Sequence, residues 1–84
     1  MIEVYSKDGC SSCVSARSLL TAHGLQFIEK KLGRDFTREW LLETYPNART
    51  FPVIVVDGFN IGGFVQLTEM IDKIVGDKRQ LLSE

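Results

Sequence analysis

Histidine is scarce in this sequence: His23 is the only one among 84 residues. It follows Cys10 by thirteen positions, which along a helix rising about 1.5 Å per residue is a separation of roughly 20 Å. A Cys-His hydrolase would therefore lack its base. A tetrahedral zinc ion would find only Cys10, Cys13 and His23 as soft donors, too few and too dispersed to hold it. At the end of a helix, His23 is expected to cap carbonyls instead. Cysteine is almost as rare. Cys10 and Cys13 are the whole complement, whereas a secreted disulfide scaffold spreads more of them along its length. Neither sign of charge dominates, with 10 Lys and Arg against 11 Asp and Glu and a formal net charge of −1. That balance excludes the basic footprint of a nucleic-acid binder. Long apolar runs are missing too: the longest, Val53–Val56, falls far short of the about 18 residues that suggest a membrane span. The stretch Met1–Asp8 has no basic lead followed by an apolar stretch and a cleavage site, so no signal peptide is expected and the cytoplasm is the expected compartment.

What is present is the composition of a folded globule, 44% hydrophobic and 25% charged, rather than of a disordered chain. The length allows a single domain over residues 1–84, and one layer of helices on one sheet is about all that such a chain can bury. The elements read as βαβαββα. Ile2–Ser6 alternates as a short strand with Ile2 and Val4 on one face. From Ser11 the spacing turns helical, with Cys13, Ala16, Leu20 and His23 on a common face and Gly24 as the stop. Residues 26–32 form a second strand. Asp35 is a candidate N-cap for a helix carrying Phe36, Trp40, Leu41 and Tyr45, ended by Pro46. Val53–Val56 is β-branched throughout and reads as a central strand buried on both faces. Asp57-Gly58 predicts a type I′ hairpin into Phe59-Asn60-Ile61. Gly62-Gly63 opens a last helix with Phe64, Leu67, Ile71 and Ile74 on one face and a stop near Gly76, after which residues 77–84 fray or extend it. Alternating strands and helices imply a parallel pair with a right-handed crossover, and the hairpin adds an antiparallel edge. The expected architecture is α/β, three helices with a four-stranded mixed sheet.

Chemistry concentrates at three places. Cys10 stands where the first strand hands over to the first helix, and Cys13 follows one turn in. Cysteines at i and i+3 of a first turn have Cα atoms within the roughly 4.4–6.8 Å that a disulfide needs, so the pair can open and close without moving the fold. The unpaired N–H groups and positive dipole end of the helix favour a thiolate at Cys10. Lys7 adds a cation and Asp8 an opposing charge. Cys10 is thus assigned the attacking role and the more buried Cys13 the resolving one. A merely structural disulfide explains the two cysteines but not their place at a strand-to-helix junction. The second place is Ala48-Arg49-Thr50-Phe51-Pro52, where proline begins a strand; a cis bond there would turn the backbone N–H and C=O of Phe51 outward. The third is Gly62-Gly63-Phe64-Val65, where glycine lets a ligand approach and the amides behind it face an anion. Taken alone, Gly-Gly is also simply a tight turn.

Lys7-Asp8-Gly9-Cys10-Ser11-Ser12-Cys13, Ala48-Arg49-Thr50-Phe51-Pro52 and Ile61-Gly62-Gly63-Phe64, in this order and spacing, resemble a glutaredoxin, and the likeness runs over nearly the whole chain. The small bacterial and phage members are the most similar in length. The resemblance implies a thioredoxin-like fold, a cis bond before Pro52 and glutathione as co-substrate. By the family pattern, Lys7 meets a glutathione carboxylate and Phe51 pairs its backbone with the tripeptide against Pro52. Thr50 lines the groove, Gly63 is a further glutathione-binding position, and the Phe64 and Val65 amides hold the γ-glutamyl carboxylate. The implied activity is reduction of protein disulfides and glutathione mixed disulfides by a monomer, with ribonucleotide reductase as a client.

The chain departs from the family pattern at Ser11 and Ser12, where Cys-Pro-Tyr-Cys is common. An aromatic wall of the groove is lost and the turn is freer. Where many relatives carry an acid that meets the glutathione amine, Val65 offers only its backbone and Gln66 is the residue left to substitute. Some relatives with serine in place of that proline bridge a [2Fe–2S] cluster between two protomers. Two readings therefore compete with the dithiol oxidoreductase: a cluster carrier, which is not the expected main state, and a redoxin recharged by thioredoxin reductase.

Overall fold

The computed structural model describes residues 1–79. Along it run β1 (Ile2–Ser6), α1 (Ser11–Ala22), β2 (Ile28–Lys31), α2 (Arg38–Thr44), β3 (Val53–Val56), β4 (Phe59–Gly62) and α3 (Phe64–Arg79), the βαβαββα order expected from the sequence. The strands make one mixed sheet in the order β2-β1-β3-β4. β1 lies parallel to β2, while β1–β3 and β3–β4 are antiparallel.

Helices cover both faces of this sheet, not one. Ile2, Val4 and Ile54 pack with Ala16 and Leu20 of α1 and with Leu67, Ile71 and Ile74 of α3. Tyr5, Val53 and Val55 face the other way, onto Phe36 and onto Leu41 of α2. The expectation of a single helical layer is corrected by β3 itself. Val53, Ile54 and Val55 are at most 3% exposed, and successive side chains of a strand point to opposite faces, so this run demands cover on both. α2 is only seven residues long, and aromatics extend its reach. The rings of Phe36, Trp40 and Tyr45 lie 5.1, 5.7 and 5.8 Å from that of Tyr5. On the larger face, Leu20 and Leu67 are fully buried, each worth about 1.5–3 kcal/mol.

Helix ends account for most of the differences from the sequence reading. α1 stops in a Schellman turn: Gly24 has φ +70°, and the amides of Leu25 and Gly24 donate to the carbonyls of Leu20 and Thr21, both at 3.0 Å. That turn, not the His23 imidazole, satisfies those carbonyls. His23 is the C-cap residue and only half-buried, whereas Cys13, Ala16 and Leu20 are fully buried. α2 is capped by Thr37, whose Oγ1 accepts the Trp40 amide at 3.0 Å, and not by Asp35. The Asp35 carboxylate is already engaged by the Lys31 amide and Arg34, each at 2.8 Å, and so is unavailable to the helix. Phe36 accordingly precedes the helix, and Tyr45 is its C-cap. β2 is shorter than residues 26–32, although the Leu32 amide still reaches the Ser6 carbonyl at 2.9 Å. Asp57 (φ 52°) and Gly58 (φ 87°) form the expected type I′ turn. α3 does not stop at Gly76 but continues to Arg79; the rest of the tail, 80–84, lies outside the described residues.

Candidate active site

The end of β1 delivers Lys7, Asp8, Gly9 and Cys10 to one end of the sheet. Ser6, fully buried, donates its hydroxyl to Glu29 of β2 at 2.8 Å, and Arg17 of α1 pairs with the same carboxylate. This link ties the strand before the cysteines to the helix after them. Burial pushes the Glu29 carboxyl up, but the Ser6 hydroxyl and Arg17 together outweigh it and hold the group below the usual carboxylate range. Gly9 then turns the chain at φ +71°, a conformation that costs a residue with a Cβ roughly 1–2 kcal/mol.

Cys10 is the N-cap of α1, and its Sγ accepts the backbone N–H of Cys13 at 3.2 Å. Its carbonyl takes the Val14 amide at 3.3 Å, the first bond of the helix. Cys10 and Cys13 are joined as a disulfide with Cα atoms 5.3 Å apart, inside the window expected from their spacing. Cys13 is fully buried while Cys10 is partly exposed, so only the first sulfur is open to a partner. Asp8 does not face the cysteines uncompensated: Lys31 pairs with it at 2.9 Å and, through that hydrogen bond, lowers its pKa.

The Phe51–Pro52 bond is cis, and Pro52 is buried. The Nζ of Lys7 stands 5.6 Å from the centroid of the Phe51 ring, which joins the first and second sequence motifs in space. The second and third meet at Gly63. A Cβ built there would lie 3.3 Å from the Pro52 carbonyl oxygen and 3.8 Å from Thr50 Oγ1. A groove of about 290 Å³ runs between these segments, lined among others by Arg49, Thr50, Asn60, Gly63 and Gln66. α3 begins beside it, with the Leu67 amide bonded to the Gly63 carbonyl at 3.0 Å. The first-turn amides of Phe64 and Val65 have no partner within the helix, and glycine at the cap has no side chain to offer them. The Phe64 ring packs against the core, whereas Val65 is 61% exposed.

Two features near these segments were not anticipated. Gln66 folds back so that its Oε1 accepts the Gly63 amide at 2.9 Å, the return half of a capping box; its carbonyl is spent on its own backbone. Arg38, the first residue of α2, holds its guanidinium carbon 5.9 Å from the Phe51 centroid. Nothing within a few residues of Arg38 announces that proximity, because it depends on how α2 packs. Among the described residues no group of three or more His, Cys, Asp and Glu side chains could hold a metal ion.

Sheet order, crossover and a dithiol at the first strand-to-helix junction define a redox protein of thioredoxin-like fold. The glutaredoxin family model matches residues 2–61. A probable glutaredoxin of Synechocystis sp. is 37% identical over 67 residues, which are 79% of this chain and 62% of that protein, so the chain spans less than two thirds of the relative's length. Glutaredoxin 1 of Francisella tularensis, solved with cacodylate, superposes with a TM-score of 0.75 at 26% identity, covering 89% of this chain and 95% of that one. The glutaredoxin of Brucella melitensis gives 0.69 at 28% identity over 93% and 85%. The chain belongs to the glutaredoxin family.

Proposed function

We propose that this protein is a glutathione-dependent thiol–disulfide oxidoreductase that reduces protein disulfides and glutathione mixed disulfides. The observation that carries the reading is the asymmetric pair: a partly exposed Cys10 whose sulfur caps a helix, bonded to a fully buried Cys13. With the pair reduced, the Cys10 thiolate attacks one sulfur of the substrate disulfide and releases the other as a thiol. Cys13 then attacks Cys10 Sγ, releasing the second substrate thiol and leaving the Cys10–Cys13 disulfide. Two electrons have moved from the dithiol to the substrate. Two glutathione thiols restore the dithiol and leave as glutathione disulfide.

In this reading Lys7 meets one glutathione carboxylate and the Phe64 and Val65 amides meet the γ-glutamyl carboxylate. The backbone of Phe51, set by Pro52, pairs with the cysteinyl unit, with Thr50 and Gly63 shaping the wall. The family membership, the approach of Lys7 to the Phe51 ring and that of Gly63 to Pro52 and Thr50 support it. A reducing compartment, the cytoplasm, suits the cycle, and ribonucleotide reductase is the first protein client to try. A coupled assay offering either glutathione with its reductase or thioredoxin reductase tests the reading. Turnover with glutathione is expected; turnover with thioredoxin reductase alone would replace it.

A further inference from the structure

We propose that Lys31, at the end of β2, is a positioning residue for the thiol chemistry: its ammonium holds the Asp8 carboxylate away from Cys10. The inference rests on the oxidoreductase reading and adds a residue that acts on the attacking sulfur through another side chain. Asp8 stands two places before Cys10, and two residues of chain span at most about 7 Å. A carboxylate tethered that closely disfavours a thiolate directly. It also competes for the same positive helix end, whose unpaired N–H groups attract any nearby anion. The turn that carries Asp8 does not by itself hold the acid aside. Open space surrounds Gly9, and the Asp8 side chain is 88% exposed.

The restraint comes from another strand. Lys31 Nζ lies 2.9 Å from Asp8 Oδ1, and the lysine side chain is only 34% exposed. Lys31 is in register with Ser6 of β1, so its ammonium starts beside the point where β1 gives way to the cysteine turn. Glu29, two residues earlier on the same face of β2, pairs with Arg17 of α1 and attracts Lys31. Arg17, Glu29, Lys31 and Asp8 therefore alternate in sign, from the helix after the cysteines to the turn before them. Arg34 adds a longer-range attraction on Asp8, but its guanidinium is bonded to Asp35. Lys7, the other charge in the turn, has its Nζ over the Phe51 ring at 5.6 Å. Lys31 is thus the group in direct contact with the acid.

The test uses the full chain, reduced and freed of reductant. Alkylation of Cys10 by iodoacetamide is followed across roughly pH 3.5–8.5, the range in which cysteine thiols ionise. Lys31→Gln should move the profile to higher pH, so that the rate on its rising limb drops by about 1.5- to 5-fold, the span of an exposed charge contact. Lys31→Arg should restore the original profile. Asp8→Asn should leave the profile in place or move it to lower pH, and in that background Lys31→Gln should have no further effect. The two single variants break the same ion pair, so a merely structural role would send both profiles to higher pH. That outcome would overturn the proposal. So would an unmoved profile in Lys31→Gln, or a Lys31→Gln effect that persists in full beside Asp8→Asn. Should Lys31→Gln fail to fold, Lys31→Met, which keeps an apolar stem without the charge, takes its place. The unaltered protein is also given a glutathione-capped cysteine peptide in single turnovers. Failure to reduce it would instead bring down the oxidoreductase reading.

Discussion

The backbone N–H of Cys13 points at the sulfur of Cys10 from 3.2 Å, so the first cysteine fills the place that a serine or aspartate oxygen takes at other helix starts. Donors and a positive dipole end at that point favour a negatively charged sulfur, and Cys13 itself is fully buried.

After reduction, iodoacetamide should therefore label Cys10 well before Cys13, as read by peptide mapping. Cys10→Ser should abolish all turnover. Cys13→Ser should still reduce glutathione mixed disulfides, because external glutathione can replace the resolving thiol, but should lose intramolecular resolution of protein disulfides. Equal labelling of the two sulfurs would contradict the division of roles.

Lys7→Ala should raise the KM for glutathione a few-fold with little change in unfolding temperature. The Lys7 side chain is exposed, and an exposed charge contact is worth about 0.2–1 kcal/mol. Steady-state kinetics across glutathione concentrations check it, and an unchanged KM would remove Lys7 from the binding site.

Gly63→Val should raise that KM further. Its Cβ would already stand 3.3 Å from the Pro52 carbonyl, and the branches would project into the groove beside the open amides of α3. The rate at which iodoacetamide modifies Cys10 should stay as it is, because α1 is untouched. A parallel loss in both readouts would mean that the substitution disturbs the fold rather than the groove.

Glu29→Gln should destabilise the protein near pH 7 by about 1 kcal/mol, the worth of a charged hydrogen bond reduced by partial exposure. The folded Glu29 carboxyl ionises below its ordinary value. Its contribution is thus complete above the unfolded value of about 4.3 and disappears as the pH falls through the folded one. Denaturant unfolding of both proteins from pH 7 down to pH 3 should show the gap closing. A gap that is constant with pH would assign the effect to packing alone.

Gly24→Ala and Gly76→Ala should change stability in opposite directions. Gly24 sits at φ +70°, where a Cβ costs roughly 1–2 kcal/mol. Gly76 lies inside α3 with open space around it, so alanine should gain about 0.5–1 kcal/mol. Thermal unfolding of the two variants distinguishes these signs directly.

Much of this architecture could be read from local pattern. The β-branched run Val53–Val56, the helical spacing of Cys13, Ala16 and Leu20, and Asp57-Gly58 each carry a period or a turn preference within a few residues. Asp35 and Thr37 show the limit of such reading: both suit a helix start, and the choice fell to Thr37 because Lys31 and Arg34 had already engaged Asp35.

The sequence by itself determined the element order, the crossover and the place of Cys10 at a strand-to-helix junction, because periodicity, glycine and motif spacing act over short stretches of chain. Only the tertiary structure decided that α2 covers the opposite face from α1 and α3, and that Lys7 and Arg38 stand over one ring. It also decided that Gln66 turns back onto Gly63. Those outcomes depend on which buried surfaces meet and which charges are already paired, and such competition is settled between segments remote in sequence.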